Sequence, residues 1–377
     1  MVLTTRQLNR ATLARQQLLR RRRSDLVEAV RRIVALQAQD AASPYIALWN
    51  RVSGFRPGDL EAAFASRAIV KATLMRITLH TVVLDDHDPF LDAMQPTLRA
   101  ARLHDRRFRR TGLSADDADA LLPDVLAFAS QPRTNADVEA WLDERIGVSP
   151  KPGVWWAMRQ YGPFVHAPTG GPWSFGPRPA YVAAPSSTTS PTADDPLQWL
   201  VRRYLAGFGP ASVLDVAQFG LINRPRVRAA LEAMAPELDE LEGPDGTRFY
   251  DLPDAPRPRA DTPAPPRLLP MWDSVLLAHA DRSRVIAPAH RPLVMRRNGD
   301  VLPTVLVDGF VAGVWRPADG GIEVTAFGAL SDEAWTGVER EARGLLALLA
   351  DRDPGVYGRY GHWWASLPRD DVRVVGT

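Results

Sequence analysis

The sequence predicts an α+β protein in which groups of helices are each followed by strands and the C-terminal part is mostly β. Apolar residues recur at helical spacing in several segments, alternating β-branched residues follow them, and stretches rich in proline and glycine separate the groups. A chain of 377 residues, with 45% hydrophobic and 24% charged residues, is long enough for several domains with ordinary cores.

The first group, assigned to residues 3–113, contains three predicted helices and a strand. Helices are predicted over 6–20, from the N-cap Ser24 to the end of an apolar stripe at Leu36, and over 57–66. Alternating β-branched residues predict a strand over 70–84, and a further helix is expected over 88–110. Three helices followed by strand material is the element order of a winged helix-turn-helix module, which places one helix in the major groove of DNA.

The second group, assigned to residues 114–190, again has predicted helices followed by predicted strands. Ser114 and Thr134 are the N-caps of two predicted helices between residues 114 and 147. The segment 151–182 combines aromatic residues with glycine and proline, which indicates short strands and a wing. The composition of residues 184–196 predicts a linker.

The third group is assigned to residues 195–262 and the β-rich region to residues 263–377. The predicted helices of the third group are 197–205, 212–219 and 225–234, and its strand material is 238–252. After a proline-rich extended connection at 253–270, the remainder is predicted to be mostly β. It contains a turn at Asp308-Gly309 and one inserted helix over 331–349.

The composition excludes several kinds of site. The chain has no cysteine, so disulfides, thiol nucleophiles and thiolate metal sites are ruled out. The seven histidines are scattered, without a pair at helical ligand spacing beside a carboxylate, so we expect neither a metal nor another cofactor. The sequence also lacks a P-loop, a Rossmann glycine pattern and a nucleophile-elbow serine.

The expected location is the cytoplasm. No apolar run approaches the roughly 20 residues that a membrane-spanning helix needs. The N-terminal segment is rich in arginine and lacks the apolar core of a secretory signal. We therefore expect a protein that does not bind membranes, and we expect it to act as a monomer.

Arginine carries nearly all of the positive charge of this chain, whose formal net charge is +2. One set of arginines recurs at spacings of three and four, which predicts that like charges line one helix face. DNA phosphates would relieve the repulsion between them, whereas a solvated face of an arginine-rich protein is the alternative. The set consists of Arg99, Arg102, Arg106 and either Arg109 or Arg110.

A second basic group lies in the C-terminal region, where a hairpin is predicted around the tight turn Asn298-Gly299. A basic hairpin can enter a groove of DNA. The candidate DNA contacts in this group are Arg282, Arg284, His290, Arg291, Arg296, Arg297 and Asn298.

Two glutamines are the leading candidates for chemistry. Gln37 continues the apolar stripe of Val30 and Ile33, so its amide is expected to be buried, and an unsatisfied buried amide costs about 1–3 kcal/mol. Gln39 shares that side only if the helix ends between the two glutamines and the chain becomes extended. The alternative is a helix end whose glutamines satisfy free backbone carbonyls.

The predicted strand over residues 70–84 has one polar face. Arg76, Thr78 and His80 alternate with apolar residues, so the pattern places a cation, a hydroxyl and an imidazole in a row. Such a row can hold phosphates or a base edge. A half-exposed strand with ordinary polar alternation accounts for the pattern equally well.

Four segments together carry a resemblance to a known family. They are Gln37-Ala38-Gln39, Arg76-Ile77-Thr78-Leu79-His80, Trp272-Asp273-Ser274-Val275-Leu276-Leu277 and Val307-Asp308-Gly309. With them, the chain resembles, over almost its whole length, the bacterial winged-helix DNA glycosylases that unhook interstrand crosslinks, specifically the AlkZ (azinomycin-resistance) branch. A related branch has aspartate as the last residue of the first motif, and residue 39 does not match it.

The resemblance implies three tandem winged helix-turn-helix modules and a small C-terminal β-barrel around a concave DNA channel. It implies that Gln37 and Gln39 hold the catalytic water and that a hairpin of the third module reaches into the channel. The implied activity is that of a monofunctional DNA repair glycosylase. Its implied partner is double-stranded DNA that carries N7-alkylated purines or interstrand crosslinks from a genotoxic natural product.

The chemistry of glutamine narrows the substrate. An amide does not take up a proton at neutral pH, so it is a poor general base. An N7-alkylated purine already carries a positive charge and leaves as a neutral base, so the enzyme has only to position water and shield the developing oxocarbenium ion. Two alternatives stay open, namely a winged-helix transcription regulator and a relative that binds damaged DNA without catalysis.

Overall fold

The computed structural model describes residues 2–147, 152–185, 195–368 and 371–376. Within them, a unit of one helix, a short first strand, two helices and two further strands occurs three times. In each unit the first strand pairs with the third, which also pairs with the second. The first strand of the third unit is reduced to a single bridge between Ala211 and Tyr250.

The first unit follows a separate helix, α1 (Thr5–Arg15), which is shorter than its predicted span. The elements of this unit are α2 (Leu26–Ile33), β1 (Leu36–Gln37), α3 (Ser43–Arg51), α4 (Pro57–Ala65), β2 (Ile69–Leu74) and β3 (Thr78–Val83). It leads into α5 (Leu84–Leu103) and the short α6 (Arg106–Arg109). Asp25 is the N-cap of α2 in place of the predicted Ser24, because its carboxylate accepts a hydrogen bond from the Glu28 N–H.

Two predictions about the first unit are wrong. The second helix ends at Ile33, because Val34 has a positive φ of 77°, and the chain continues as β1. The single strand predicted over residues 70–84 is a hairpin, since a short 3-10 turn at Met75–Ile77 separates β2 from β3. Positive φ angles reverse the chain at this turn, so simple alternation does not apply across it.

The second unit consists of α7 (Ala115–Phe128), β4 (Arg133–Thr134), α8 (Asn135–Ile146), α9 (Pro152–Tyr161), β5 (Phe164–Ala167) and β6 (Ala180–Ala183). The predicted caps Ser114 and Thr134 are confirmed, and each forms a full capping box. The segment 151–182 contains short strands as predicted, but it begins with the helix α9, which was not predicted. The apolar side of α9 is buried, and its Trp155 packs against Tyr181. Most of the predicted linker lies outside the described residues.

The third unit consists of α10 (Pro196–Phe208), α11 (Val213–Gly220), α12 (Arg224–Ala233), β7 (Asp239–Glu242) and β8 (Arg248–Asp251). Its three predicted helices are confirmed. The strand material predicted over residues 238–252 forms a two-stranded hairpin. Short 3-10 turns lie at Ala235–Glu237 and Pro244–Gly246.

The C-terminal region contains an antiparallel sheet and one long helix. Its elements are β9 (Arg267–Leu269), α13 (Ser274–Leu277), α14 (Arg291–Val294), β10 (Thr304–Val307), β11 (Phe310–Ala318), β12 (Gly321–Ala326), α15 (Asp332–Ala350), a 3-10 segment (Gly358–Ser366) and β13 (Asp371–Val375). The predicted turn at Asp308-Gly309 and the predicted helix over 331–349 are confirmed. The strand order is β13-β12-β11-β10-β9, and the edge strands do not pair with each other, so the described residues form no closed barrel.

The first unit lies between two hydrophobic clusters. One cluster joins α2, α3 and α4 to the C-terminal sheet and α15. The other joins β2, β3 and α5 to the second and third units. The short strand β1 therefore lies at the meeting point of the three units and the C-terminal region, where a side chain can be surrounded by groups that are distant in the sequence.

Candidate active site

The side chain of Gln37 is buried on β1 and held at both ends of its amide. Only 4% of the residue is exposed. Its Nε2 donates to the hydroxyl of Thr78 at 3.0 Å, and its Oε1 accepts from Nη2 of Arg76 at 3.1 Å. The Thr78 hydroxyl donates in turn to the carbonyl of Met75 at 3.0 Å. This chain of hydrogen bonds determines which way the amide points, and it leaves one lone pair of Oε1 available.

Arg76 lies on the turn between β2 and β3 and brings a positive charge to Gln37. Its guanidinium packs 5.5 Å from the ring of Phe219 on α11, and among the described residues it forms no ion pair. Burial and the neighbouring charge of Arg282 lower the pKa of Arg76 to about 10. The side chain is therefore still charged at neutral pH, and an anion such as a phosphate would complete its contacts.

His80 is a neutral member of the same group. It lies opposite Gln37 on β3 and is fully buried. Burial and the charge of Arg76 hold the pKa of His80 well below its usual range. Its Nδ1–H donates to the carbonyl of Thr78 at 3.0 Å, so its Nε2 accepts from Nη2 of Arg76 at 3.1 Å. The imidazole therefore positions Arg76, and because it is fully buried with both ring nitrogens bonded, its prediction as a DNA contact is wrong.

The lowered pKa of His80 predicts acid sensitivity. In the unfolded chain the imidazole takes up a proton below about pH 6.5, and in the folded protein it does not. The free energy of unfolding should therefore be insensitive to this group above pH 6.5. Below that pH it should decrease, by up to about 1.4 kcal/mol per pH unit for this one proton.

Urea unfolding of the wild type and of His80→Gln between pH 7.5 and 5.0 measures this dependence. The variant should lose part of the slope, because an amide oxygen can accept from Arg76 without titrating. Burial also lowers the pKa values of His166 and His279, so these residues should account for the remaining slope. Equal slopes for the two proteins would contradict the assignment.

Gln39 follows β1 and is exposed. Its Oε1 lies 3.5 Å from the backbone nitrogen of Leu79, and the neighbouring Ala38 N–H donates to the Leu79 carbonyl at 2.8 Å. The contacts of Gln37 with the Thr78 hydroxyl and of Gln39 with the Leu79 backbone place both glutamines beside the beginning of β3. The helix ends before both glutamines, so the prediction that it ends between them is wrong. In the described structure, neither side chain bonds to a helix carbonyl.

The C-terminal region holds β1 in place. The hydroxyl of Ser274 donates to the Ala35 carbonyl at 2.8 Å and lies 3.3 Å from the Gln37 N–H, which donates to it. The preceding Asp273 forms a bidentate pair with Arg51 of α3, with N–O distances of 2.7 and 2.9 Å and both side chains fully buried. The position of Gln37 therefore depends on residues more than 200 positions later in the chain.

The predicted arginine face on one helix is wrong. The helix is interrupted at His104 and Asp105, because the Asp105 carboxylate caps α6. Arg99 pairs with Asp119 at 2.5 Å, and Arg102 packs on the ring of Trp156 at 4.9 Å from its centroid. Arg106, Arg109 and Arg110 are exposed on the following segment. These arginines therefore do not line one face of a single helix.

Two residues of the predicted C-terminal basic group, Arg284 and His290, bond to backbone carbonyls of the protein itself. Arg284 is buried, and its Nη1 donates to the Pro210 carbonyl at 3.0 Å, so it is an interior residue and its prediction as a DNA contact is wrong. His290 directs Nδ1 at the Val311 carbonyl, 3.0 Å away. Asn298, at the predicted tight turn, is exposed, and Gly299 has a positive φ of 92°.

The hairpin predicted around Asn298-Gly299 is much shorter than expected. It is reduced to one bridge, between Met295 and Val301, because α14 occupies the preceding residues. Four of the predicted arginines nevertheless come together around a cleft of about 390 Å³, namely Arg282, Arg291, Arg296 and Arg297. None of the four forms an ion pair within the described residues. The charge of Arg282 lowers the pKa of Arg76, which bonds to Gln37, so this one arginine of the cleft acts electrostatically on the glutamine site.

A second cleft beside Gln39 was not predicted from the sequence. It has a volume of about 220 Å³ and lies between β3 and α9. Its lining from the second unit includes Trp156, Arg159 and His166. No sequence signal pointed to it, because it depends on the contact between two units and on a helix that was predicted as strands.

The described residues show neither a metal site nor a membrane span. The described part of the chain contains no group of three or more histidine, aspartate or glutamate side chains that could hold a metal ion. No helix among the described residues is both long enough and apolar enough to span a bilayer.

Comparisons with known proteins agree with this picture. The model of the family described as "DNA glycosylase AlkZ-like" matches residues 30–348. A relative from Streptomyces sahachiroi, named "Interstrand DNA cross-link repair glycosylase", is 27% identical over 297 residues, covering 74% of this chain and 78% of the relative.

The solved structure of the Streptomyces sahachiroi DNA glycosylase AlkZ has the same fold. It superposes with a TM-score of 0.78 at 23% identity, covering 93% of this chain and 98% of that one. The family match includes both glutamines and Arg76, and it extends over most of the chain. The chain therefore belongs to the AlkZ-like family of DNA glycosylases.

Proposed function

We propose that this DNA repair glycosylase hydrolyses the N-glycosidic bond of N7-alkylated purines in double-stranded DNA, interstrand crosslinks included, with Gln37 and Gln39 at the reacting centre. The amide of Gln37 carries this proposal, because it is buried, oriented by Arg76 and Thr78, and not used to cap a helix. The crosslink-repair name of the relative supports the same substrate class.

The proposed mechanism requires no protein base. Cationic N7-alkylpurine withdraws the bonding electron pair into N9, so the base leaves neutral and the sugar becomes an oxocarbenium ion. One water attacks C1′ while the amide oxygens of Gln37 and Gln39 accept its hydrogens, and its excess proton passes to solvent. The amides position the water but do not protonate the departing base. A stable neutral lesion is therefore not activated as a leaving group and should not be released.

The deciding experiment compares two duplexes, one with N7-methylguanine and one with uracil. We expect release of N7-methylguanine above the spontaneous rate and no release of uracil. Robust uracil release would contradict the mechanism. Binding of damaged DNA without base release would favour a non-catalytic binder, and tight binding to one undamaged operator would favour a transcription regulator.

We interpret the three units as winged-helix modules within residues 3–113, 114–190 and 195–262, and residues 263–377 as the region that supports β1. The repeated order of helix, strand, two helices and hairpin supports this interpretation. We further propose that the modules surround a concave channel for DNA, that the protein acts as a monomer, and that it is a monofunctional hydrolase.

The arginine cleft predicts a salt-dependent contribution to DNA binding. Arg291 and Arg297 are exposed and unpaired in the described structure, so substituting both with alanine should leave the fold intact. If each residue neutralises one phosphate, the slope of log affinity against log salt should become shallower by about 0.9 for each. The matched control is Arg259→Ala, whose exposed guanidinium pairs with Asp261. Unchanged affinity and slope in the double variant would rule out this contact.

A further inference from the structure

The cleft beside Gln39 has a positively charged wall that the proposed mechanism does not use. Gln39 and Thr78 line the cleft on the side of the reacting centre. Trp156 and Arg159 of α9 line it on the side of the second unit, and the lining contains no carboxylate among the described residues. Because Thr78 also holds the amide of Gln37, an anion in this cleft would lie next to both glutamines.

Arg159 brings a charge to this cleft that no carboxylate balances. Its Nη1 donates to Oδ1 of Asn135 at 2.6 Å and to the hydroxyl of Tyr181 at 3.1 Å, and both acceptors are neutral. Within the described part of the chain it forms no ion pair. The side chain is half-buried, so water screens its charge incompletely. The two bonds therefore fix the guanidinium and leave Nε and Nη2 for another acceptor.

Two further arginines lie beside the indole of Trp156. The guanidinium groups of Arg102 on α5 and Arg107 on α6 are each 4.9 Å from the centroid of this ring. Neither forms an ion pair in the described structure, and Nε of Arg102 is buried without a hydrogen-bond partner there. Burial and the charge of Arg107 lower the pKa of Arg102. The nearby Asp105 carboxylate accepts from the Arg107 N–H as the cap of α6.

Three like charges thus collect around one indole beside Gln39. We call this group the Trp156 cluster, and it consists of Trp156, Arg102, Arg107 and Arg159. Contact with the indole offsets part of the repulsion between the guanidinium groups. An anion with several charges would offset the remainder, and DNA is the polyanion that the proposed function brings to this surface.

The covalent structure of DNA indicates which of its charges reach the cluster. The sugar that reacts is esterified on both sides, so the two flanking phosphates are the charged groups of the strand nearest to its C1′. Arg282 of the arginine cleft acts on Arg76, which bonds to Gln37. The Trp156 cluster instead borders the cleft beside Gln39. A strand whose C1′ lies at the glutamines therefore meets cations next to either one.

From these observations we infer that the Trp156 cluster is a phosphate-binding site for the strand that carries the lesion. Arg159 bonds a phosphodiester that flanks the lesion nucleotide, and Arg102 and Arg107 hold the next phosphates of that strand. The inference rests on the proposed glycosylase function and identifies the part of the DNA that the second unit recognises. Such contacts fix the register of the strand and do not depend on its base sequence.

The test removes single phosphate charges from the DNA and single cations from the protein. Each duplex contains one N7-methylguanine on a 2′-fluoro sugar, because the fluorine destabilises the oxocarbenium ion and keeps the base attached. One methylphosphonate, which is neutral, replaces one phosphate at each of the three positions on either side of the lesion. Equilibrium affinity is measured for the wild type, Arg159→Gln, Arg107→Gln and the control Arg145→Gln. The Arg145 guanidinium lies 3.8 Å from the Trp141 ring centroid, in the same unit but outside the lining of the cleft.

For the wild type we expect the neutral group to lower the affinity about tenfold at one of the two phosphates adjacent to the lesion. Arg159→Gln should weaken binding of the all-phosphate duplex by a similar factor, and the methylphosphonate at that position should then have almost no further effect. Arg107→Gln should show the same non-additivity at a position further from the lesion on the same side. Arg145→Gln should keep the wild-type pattern.

Two results would overturn the inference while the proposed function stands. The first is a set of methylphosphonate effects that is the same in the wild type, Arg159→Gln and Arg107→Gln. The second is non-additivity for Arg159→Gln that occurs only at the phosphates furthest from the lesion, because the cluster would then not adjoin the reacting centre.

Two further measurements keep these outcomes distinct. Asn135 and Tyr181 lose a partner in Arg159→Gln, so its thermal unfolding is recorded, and the exposed Arg107 supplies an independent variant. Release of N7-methylguanine from an ordinary duplex by the wild type tests the proposed function separately. Its failure, together with the expected phosphate pattern, would indicate a protein that binds damaged DNA without catalysis.

Discussion

Replacing Gln37 with alanine is expected to reduce the rate of N7-methylguanine release by about 10²–10³-fold and to leave the affinity for DNA nearly unchanged. The amide is oriented by Arg76 and Thr78, so its oxygen is placed before the substrate arrives. Its loss removes a group that positions water, whereas the arginine cleft that is proposed to bind DNA is untouched. Single-turnover release and equilibrium binding to the same duplex measure the two effects separately.

Two controls separate catalysis from folding. Alanine at position 37 leaves Nη2 of Arg76 without its amide acceptor, so thermal unfolding of the variant must be recorded beside its activity. Gln198→Ala removes a glutamine from α10 whose side chain, within the described residues, hydrogen-bonds to the nearby Asp195, and the variant should release base at the wild-type rate. Parallel losses of binding and release in Gln37→Ala would show that the residue is structural.

Breaking the buried pair between Arg51 and Asp273 is expected to lower the stability of the protein strongly. Both side chains are fully buried, so Asp273→Ala leaves a guanidinium inside the protein without its carboxylate. This should lower the free energy of unfolding by about 3–5 kcal/mol. Base release should decrease as well, because the next residue, Ser274, bonds to the strand that carries Gln37. Denaturant unfolding and single-turnover release measure these two effects.

The matched control for this prediction is an exposed ion pair. Asp261 pairs with Arg259 at 3.1 Å, and both side chains are largely in solvent. Asp261→Ala should therefore not change unfolding measurably, since exposed pairs contribute little. If Asp273→Ala unfolds at the same denaturant concentration as the wild type, the buried pair does not hold the C-terminal region on α3.

The helices that local sequence signals describe were predicted well. Ser114 and Thr134 each form their capping box within three residues, so no distant contact is needed to place these helix starts. The turn at Asp308-Gly309 and the three helices of the third unit follow from equally local patterns. In all of these cases the signal and the structure involve neighbouring residues.

The predictions that failed share a cause. Gln37 was expected on a helix because it continues an apolar stripe, but pairing with β3 places it on a strand. Arg284 was expected in a basic hairpin, and the packing of the third unit against the C-terminal region buries it instead. The cleft beside Gln39 exists only where the first and second units are in contact. None of these arrangements produces a periodic pattern in the sequence from which it could be predicted.

The sequence by itself determined the α+β class, the three helices of the third unit, and the two glutamines as the pair to examine. It did so because periodicity, capping and motif spacing are properties of neighbouring residues. Only the tertiary structure decided that Arg76, Thr78 and His80 surround the Gln37 amide, and that Ser274 fixes the strand beneath it. These contacts join residues about 40 and more than 200 positions apart. These residues meet at Gln37 because the folded chain buries both hydrophobic clusters at the same time.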